Sequence, residues 1–257
     1  MATPRLSSAL TWPKYEQAVL AVFMEALRRL AEKPTLPQGE EPINLDLYWL
    51  CIKVHFEHLK AKKSVPFVID FDSTNQPEPD DTAESRRLKK RPDFACAITD
   101  EQAPDSRSSQ IRYSLECKRL GQAEGSWVLN ENYSERGMLR FVHKDHSYAK
   151  GCSSAAMVGY MQNMDPDNIL TEVNGFAQQR NMPSLSRAAA AWAAKNVTQL
   201  SQNPLTRDFD PNPLQLKHLW VDLRHCTFEK PPPKPKAAAT KKAKKKALPK
   251  KTKTKAA

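Results

Sequence analysis

Residues 111–118 read IRYSLECK, and residues 92–98, a short way upstream, read PDFACAI. Both runs alternate with the period of two that marks a β-strand. In the downstream run Ile111, Tyr113, Leu115 and Cys117 share one face, while Arg112, Ser114, Glu116 and Lys118 share the other. In the upstream run Phe94, Cys96 and Ile98 form a core face. Asp93 lies on the opposite side with Ala95 and Ala97, which are small enough to leave room beside it. The polar segment DEQAPDSRSSQ (100–110) between the runs reads as a hairpin loop.

Hairpin pairing carries Asp93 to the far end of the second strand, where Glu116 and Lys118 sit about 7 Å apart along the chain. Two carboxylates then converge with the backbone carbonyl of Cys117. That hard, all-oxygen set suits Mg²⁺ or Mn²⁺. A cation there polarises a phosphate and lowers the pKa of a bound water, while Lys118 orients that water or stabilises transition-state charge. Glu116-Cys117-Lys118 is the only (D/E)xK triplet in the chain, and of four Pro-Asp pairs only Pro92-Asp93 opens an apolar β run. The competing reading is a cross-strand Glu116–Lys118 ion pair on an exposed sheet face, which is common and worth little.

These residues resemble the PD-(D/E)XK, or restriction-endonuclease-like, nuclease superfamily. Pro92-Asp93 stands at the start of one strand and Glu116-Cys117-Lys118 at the end of the next. The resemblance covers roughly residues 40–165. It implies a central mixed β-sheet flanked by helices and metal-dependent hydrolysis of phosphodiesters, usually in DNA. It also implies that a preceding helix contributes a further carboxylate. Glu57, Glu40 and Glu41 are the candidates, each with a competing role on a solvated face or beside a helix N-terminus.

The flanking sequence reads as an α/β domain. Residues 14–31 place Tyr15, Val19, Val22, Ala26 and Leu30 on one helical face, ended by Pro34 and Pro37. Residues 43–60 are apolar over a wide arc (Leu45, Tyr48, Trp49, Ile52, Phe56, Leu59), the pattern of a largely buried helix. PFVIDF (66–71) reads as a strand and 72–90 as an exposed loop. Downstream, 129–142 and 184–200 read as helices, and 155–161 and 214–223 as strands. Asp165-Pro166 is a capped helix start leading through Phe176.

The net charge of +11 is unevenly placed. From Lys230 to Ala257 there are 12 lysines and no acid, so removing 12 from 40 leaves 28 basic against 29 acidic residues in 1–229. A near-neutral body excludes a histone-like packing protein. Residues 230–257, low in complexity and without an apolar face, read as a disordered basic tail on a 1–229 nuclease-like domain. Lys241, Lys242, Lys244, Lys245 and Lys246 are its candidate nucleic-acid contacts. Tyr133, Arg136 and Arg140 at helical spacing offer a phosphate-facing stripe, and Lys150 a further contact. The cluster Arg86–Arg91 either holds the backbone near Asp93 or balances the acids before it.

Other chemistries find no support. GxGxxG, GxxxxGK[ST] and GxSxG are absent. The histidines of 143–151 lack ligands at zinc spacing, and five cysteines without a CxxC pair read as reduced thiols. No apolar run is longer than Ala18–Met24, which is too short to span a bilayer. The expectation is a cytoplasmic, in one variant nucleoid-associated, Mg²⁺- or Mn²⁺-dependent nuclease of phage defence or DNA repair. Asp93, Glu116 and Lys118 would be catalytic. The alternative is a non-catalytic nucleic-acid-binding or interaction protein on the same scaffold.

Overall fold

A computed structural model describes residues 11–72, 86–100, 103–106 and 109–230. The tail lysines after Lys230, including Lys241, Lys242, Lys244, Lys245 and Lys246, the segment 73–85 and parts of the 100–110 loop lie outside the described residues.

The 3.6-residue spacing at the N-terminus becomes α1 (Trp12–Ala31), with a proline in its first turn and Tyr15, Val19, Val22, Ala26 and Leu30 all buried. It is followed by β1 (Thr35–Pro37) and α2 (Glu40–Lys60). Gly39 enters α2 at φ +108°, a conformation that L side chains rarely adopt. Helix α2 turns Ile43, Leu47, Cys51 and Val54 inward. Leu45, Trp49 and Phe56, expected inside, are exposed. The apolar arc is wide enough to fit either rotation, and packing against α1 selects one. An Arg29–Glu57 ion pair at 2.7 Å joins the two helices, and Lys33, just past the end of α1, pairs with Asp46 of α2 at 2.8 Å.

Among the described residues the remaining α-helices and strands are β2 (Val68–Phe71), β3 (Phe94–Thr99), β4 (Gln110–Leu120), α3 (Leu129–Glu135), β5 (Ser154–Met161), α4 (Pro166–Gln179), β6 (Leu185–Arg187), β7 (Val197–Gln202), β8 (Gln215–Asp222) and β9 (Thr227–Glu229), with 3-10 turns at Arg86–Lys89 and Met138–Phe141. Among the described residues, seven strands form one mixed sheet in the order β2-β3-β4-β5-β8-β7-β6. The β4, β5 and β8 strands run parallel; the other neighbours are antiparallel. Strands β1 and β9 pair separately, in parallel.

Both faces of the sheet are covered. On one, Trp12 packs on Tyr113, the Tyr15 hydroxyl donates to the Cys96 carbonyl, and the Tyr160 hydroxyl donates to Asn44 of α2. On the other, Tyr133 of α3 meets Trp220, which lies beside Gly159 in the register and so opposite to Tyr160. The result is a mixed α/β architecture with a seven-stranded sheet flanked by helices. The five cysteines are buried and free. Among the described residues, no helix is long and apolar enough to cross a membrane.

Two helical expectations are corrected. The run 129–142 stops at Glu135 and resumes as a 3-10 turn, Met138–Phe141. At Gly137 a Cβ would strike the Tyr133 carbonyl oxygen and the Met157 methyl group, so the chain passes closely there. The run 184–200 is not a helix: it holds β6 and the start of β7. Its alanines favour a helix locally, but Val197 to Leu200 pair antiparallel with β8, and Trp192 stacks on Trp220 at 5.8 Å. Tertiary pairing overrides propensity.

Candidate active site

The site is built where the β3–β4 hairpin meets the first turn of α2. Register pairs Phe94 with Leu115, so Asp93, one step earlier, continues the ladder opposite Glu116. Alternation puts both carboxylates on one face of the sheet. Ala95, opposite Ser114, keeps the neighbouring positions small.

Glu116 is fully buried and Lys118 nearly so, which excludes an ion pair on an exposed sheet face. The Lys118 ammonium is the point of convergence. It lies 2.7 Å from Glu116 Oε1, 2.7 Å from Glu40 Oε1 and 3.9 Å from Asp93 Oδ2, and it donates to the Cys117 carbonyl at 2.6 Å. Asp93 Oδ2 also accepts from the Cys117 N–H at 2.7 Å, and Glu40 Oε2 from the Arg119 N–H at 3.2 Å. Arg140 Nη1 donates to Glu116 Oε1 at 2.5 Å, and the Tyr148 ring lies beneath its guanidinium. The Tyr148 hydroxyl donates in turn to the Arg91 carbonyl, tying this corner to the residues just before Asp93. The side chains of Asp93, Arg140 and Glu40 keep 24, 28 and 32 % of their exposure and form the solvent-facing margin of the cluster around the buried Glu116 and Lys118.

Burial pushes the Asp93 carboxyl well above its ordinary pKa, and Glu116 nearby adds to the shift, against the pull of Lys118. Burial raises Glu116 as well, opposed by Lys118 and Arg140. For Lys118 burial works against the charged form, but Glu116, Glu40 and Asp93 outweigh it, and its pKa lies above the usual lysine range. Arg140 is likewise held in its charged form by Glu116, against its own burial.

Two features of this donor set bear on a divalent cation. Three carboxylates face two cationic side chains, so full ionisation leaves an excess of negative charge. Glu116 Oε2, buried, has no hydrogen-bond partner, and a buried carboxylate oxygen without a partner is costly. Among the described residues, no three His, Cys, Asp or Glu side chains are preassembled around a single cation position; here the acids close on the Lys118 ammonium instead.

The other sequence candidates go elsewhere. Glu57 pairs with Arg29 near the opposite end of α2, and Glu41 is exposed; the acid from this helix that reaches the cluster is Glu40. Tyr133 does not face a phosphate. It is fully buried, accepts from Trp220 Nε1 at 2.9 Å, and its hydroxyl meets His218 Nδ1 at 2.8 Å. The break at Gly137 destroys the helical spacing that would have aligned it with Arg136 and Arg140. Arg136 is exposed with its guanidinium 4.5 Å from the Trp127 ring, and Lys150 is half-buried in the turns before β5. Arg91 pairs with Asp72 at the surface. Tyr148 was legible only as part of a polar loop, because nothing local in HSYAKG signals that its ring is buried.

No protein-family model matches the chain, and neither a curated protein nor a solved structure shows significant similarity to it.

Proposed function

We propose that this protein is a Mg²⁺- or Mn²⁺-dependent nuclease of the restriction-endonuclease-like kind that hydrolyses phosphodiester bonds in nucleic acid, with DNA as the favoured substrate. One observation carries the reading: Asp93, Glu116 and Lys118 meet in a single partly open cluster, with a third carboxylate, Glu40, supplied by the preceding helix. Asp93, Glu116 and Glu40, with the Cys117 carbonyl, are the oxygens that would hold the cation. A bound cation of this kind polarises a phosphoryl oxygen and makes a coordinated water more acidic.

The chain's own groups divide the rest of the work. Lys118 is held protonated by three acids, so at neutral pH it acts as a fixed positive charge and not as a base. Its ammonium would compensate negative charge that builds on the phosphoryl oxygens as water adds to phosphorus, giving its proton to solvent, and the P–O ester bond breaks, the leaving oxygen taking a proton from solvent. Arg140 bonds Glu116 from the solvent-facing side and presents a second cation to an incoming phosphate. The Tyr148 ring beneath it limits the directions the guanidinium can take.

The test is incubation of the full chain with plasmid, single-stranded DNA and RNA in Mg²⁺ or Mn²⁺, beside Asp93→Asn, Glu116→Gln and Lys118→Met, with folding checked by circular dichroism. Cleavage by the parent chain and its loss by at least about a hundredfold in each folded variant is the expected result. Cleavage that survives in all three variants, or no cleavage of any substrate, overturns the catalytic reading. Binding without cleavage assigns the scaffold to nucleic-acid recognition alone.

A further inference from the structure

A surface helix ordinarily carries one apolar stripe and a polar outer face; one that is apolar all round is covered on all sides. Helix α2 breaks that pattern. Its inner side is filled by Ile43, Leu47, Cys51 and Val54, all fully buried. Its outer side nevertheless exposes Leu45, Trp49 and Phe56 at 46, 63 and 57 %, with Ile52 half-buried between them. At 100° per residue, Leu45, Trp49, Ile52 and Phe56 fall within one narrow arc, flanked by Glu41 one turn before and Lys60 one turn after. The ion pairs of Glu57 with Arg29 of α1 and of Asp46 with Lys33, just past α1, lie to one side of this arc and leave it free.

We propose that the outer face of α2 is an interface between two copies of this chain, the helices crossing antiparallel about a two-fold axis. The stripe is complementary to its own reverse. With the axis between Leu50 and Cys51, Leu45 meets the partner's Phe56 and Trp49 meets the partner's Ile52. Glu41 at one end then comes within side-chain reach of the partner's Lys60 at the other. An isologous contact must satisfy this condition twice over, apolar against apolar and acid against base, and the α2 sequence does so. In the lone chain Lys60 covers part of the Phe56 ring, its Nζ 4.4 Å from the centroid. Moving toward Glu41 across the axis uncovers that ring for the partner's Leu45. A single helix stripe is smaller than the roughly 800 Å² per partner of a standard interface, so dissociation in the micromolar range is expected. The inference is independent of the nuclease reading.

Sedimentation velocity of the full chain over a concentration series tests it, in buffer with enough salt to suppress tail-mediated contacts and with no nucleic acid. A monomer–dimer equilibrium is expected. Trp49→Glu, at an exposed position, should give monomer at every concentration with an unchanged circular-dichroism spectrum. Glu41→Lys and Lys60→Glu should each weaken the dimer about three- to tenfold, and the double exchange should restore it. The proposal is overturned by a monomer throughout, or by a dimer indifferent to Trp49→Glu. It is equally overturned if the double exchange is no better than the single ones. A monomer that co-sediments with phosphatidylcholine vesicles would reassign the face to lipid and also overturn it.

Discussion

The Lys118 ammonium lies 2.7 Å from Glu40 Oε1, so the end of β4 is bonded to the first turn of a helix that begins 78 positions earlier in the chain. This contact closes the cluster: it adds a third acid to the Asp93–Glu116 pair and fixes the entry of α2 beside the sheet. Gly39 makes the approach possible, since the chain turns into the helix there through positive φ.

Glu40→Gln removes a charge without removing the side chain's bulk. Because Glu40 is a third exposed, the fold should persist, with a thermal midpoint close to that of the parent. Mn²⁺ affinity, measured by titration calorimetry, should fall about ten- to a hundredfold, and cleavage should fall with it. Glu57→Gln, on the Arg29 pair, should leave Mn²⁺ affinity unchanged.

Asp93 and Glu116 both titrate above their ordinary values in the folded chain, chiefly through burial. A raised carboxyl pKa means that the folded state holds protons the unfolded state has released. Their contribution to stability is therefore complete below the ordinary carboxylate range and is lost as pH rises through the folded values. Metal binding requires the ionised forms and so releases protons. Calorimetric Mn²⁺ titrations in buffers of different ionisation enthalpy should show net proton release near neutral pH, reduced in Asp93→Asn. That variant should also be more thermostable than the parent without metal, a trade of stability against function.

Tyr133 belongs to a buried relay. The Trp220 Nε1–H donates to its oxygen, its hydroxyl donates to His218 Nδ1, and the other His218 ring nitrogen faces Gln202 Oε1 at 3.0 Å. Tyr133→Phe leaves two buried groups without partners and should cost about 1–3 kcal/mol in chemical denaturation, with nucleic-acid affinity unchanged. Burial pushes His218 down to about 3. Its folded pKa is depressed, so its contribution is present above the ordinary histidine range and is lost as pH falls from about 6.5 toward the folded value. His218→Gln should flatten that part of the stability profile.

The 12 lysines of residues 230–257 follow β9, whose Glu229 carbonyl accepts from the Gln38 N–H at 2.7 Å, two residues before Glu40. Because β1 and β9 run parallel, Glu229 and Lys230 lie at the end of this pair where α2 begins. Deleting 231–257 should weaken DNA binding at moderate salt and flatten the slope of log affinity against log salt. Single-turnover cleavage at saturating enzyme should persist. Equal affinity with an equal slope would remove the tail from substrate binding.

Much of the architecture is legible without coordinates because it rests on short-range periodicity. The period of two in IRYSLECK and DFACAI specifies a hairpin, and the 3.6 spacing from Tyr15 to Leu30 specifies a helix. Asp165 before Pro166 specifies a cap, seen as Asp165 accepting from the N–H groups of Asp167 and Asn168. The errors fall where local pattern is degenerate. SRAAAAWAAKNVTQL satisfies helix propensity yet holds strands, and the apolar arc of α2 fits two rotations. Tyr133 sits at the right spacing for a phosphate stripe, but the chain breaks at Gly137.

By itself the amino-acid sequence determined the alternation of the two central strands, the placement of Asp93, Glu116 and Lys118 on one face, and the segregation of positive charge into residues 230–257. Tertiary structure decided that Glu40, and neither Glu41 nor Glu57, completes the cluster, that Arg140 turns onto Glu116, and that Tyr133 is core. The division has one physical cause. Alternation and charge are properties of neighbours along the chain, whereas burial and the choice among equivalent acids depend on which distant segments pack together.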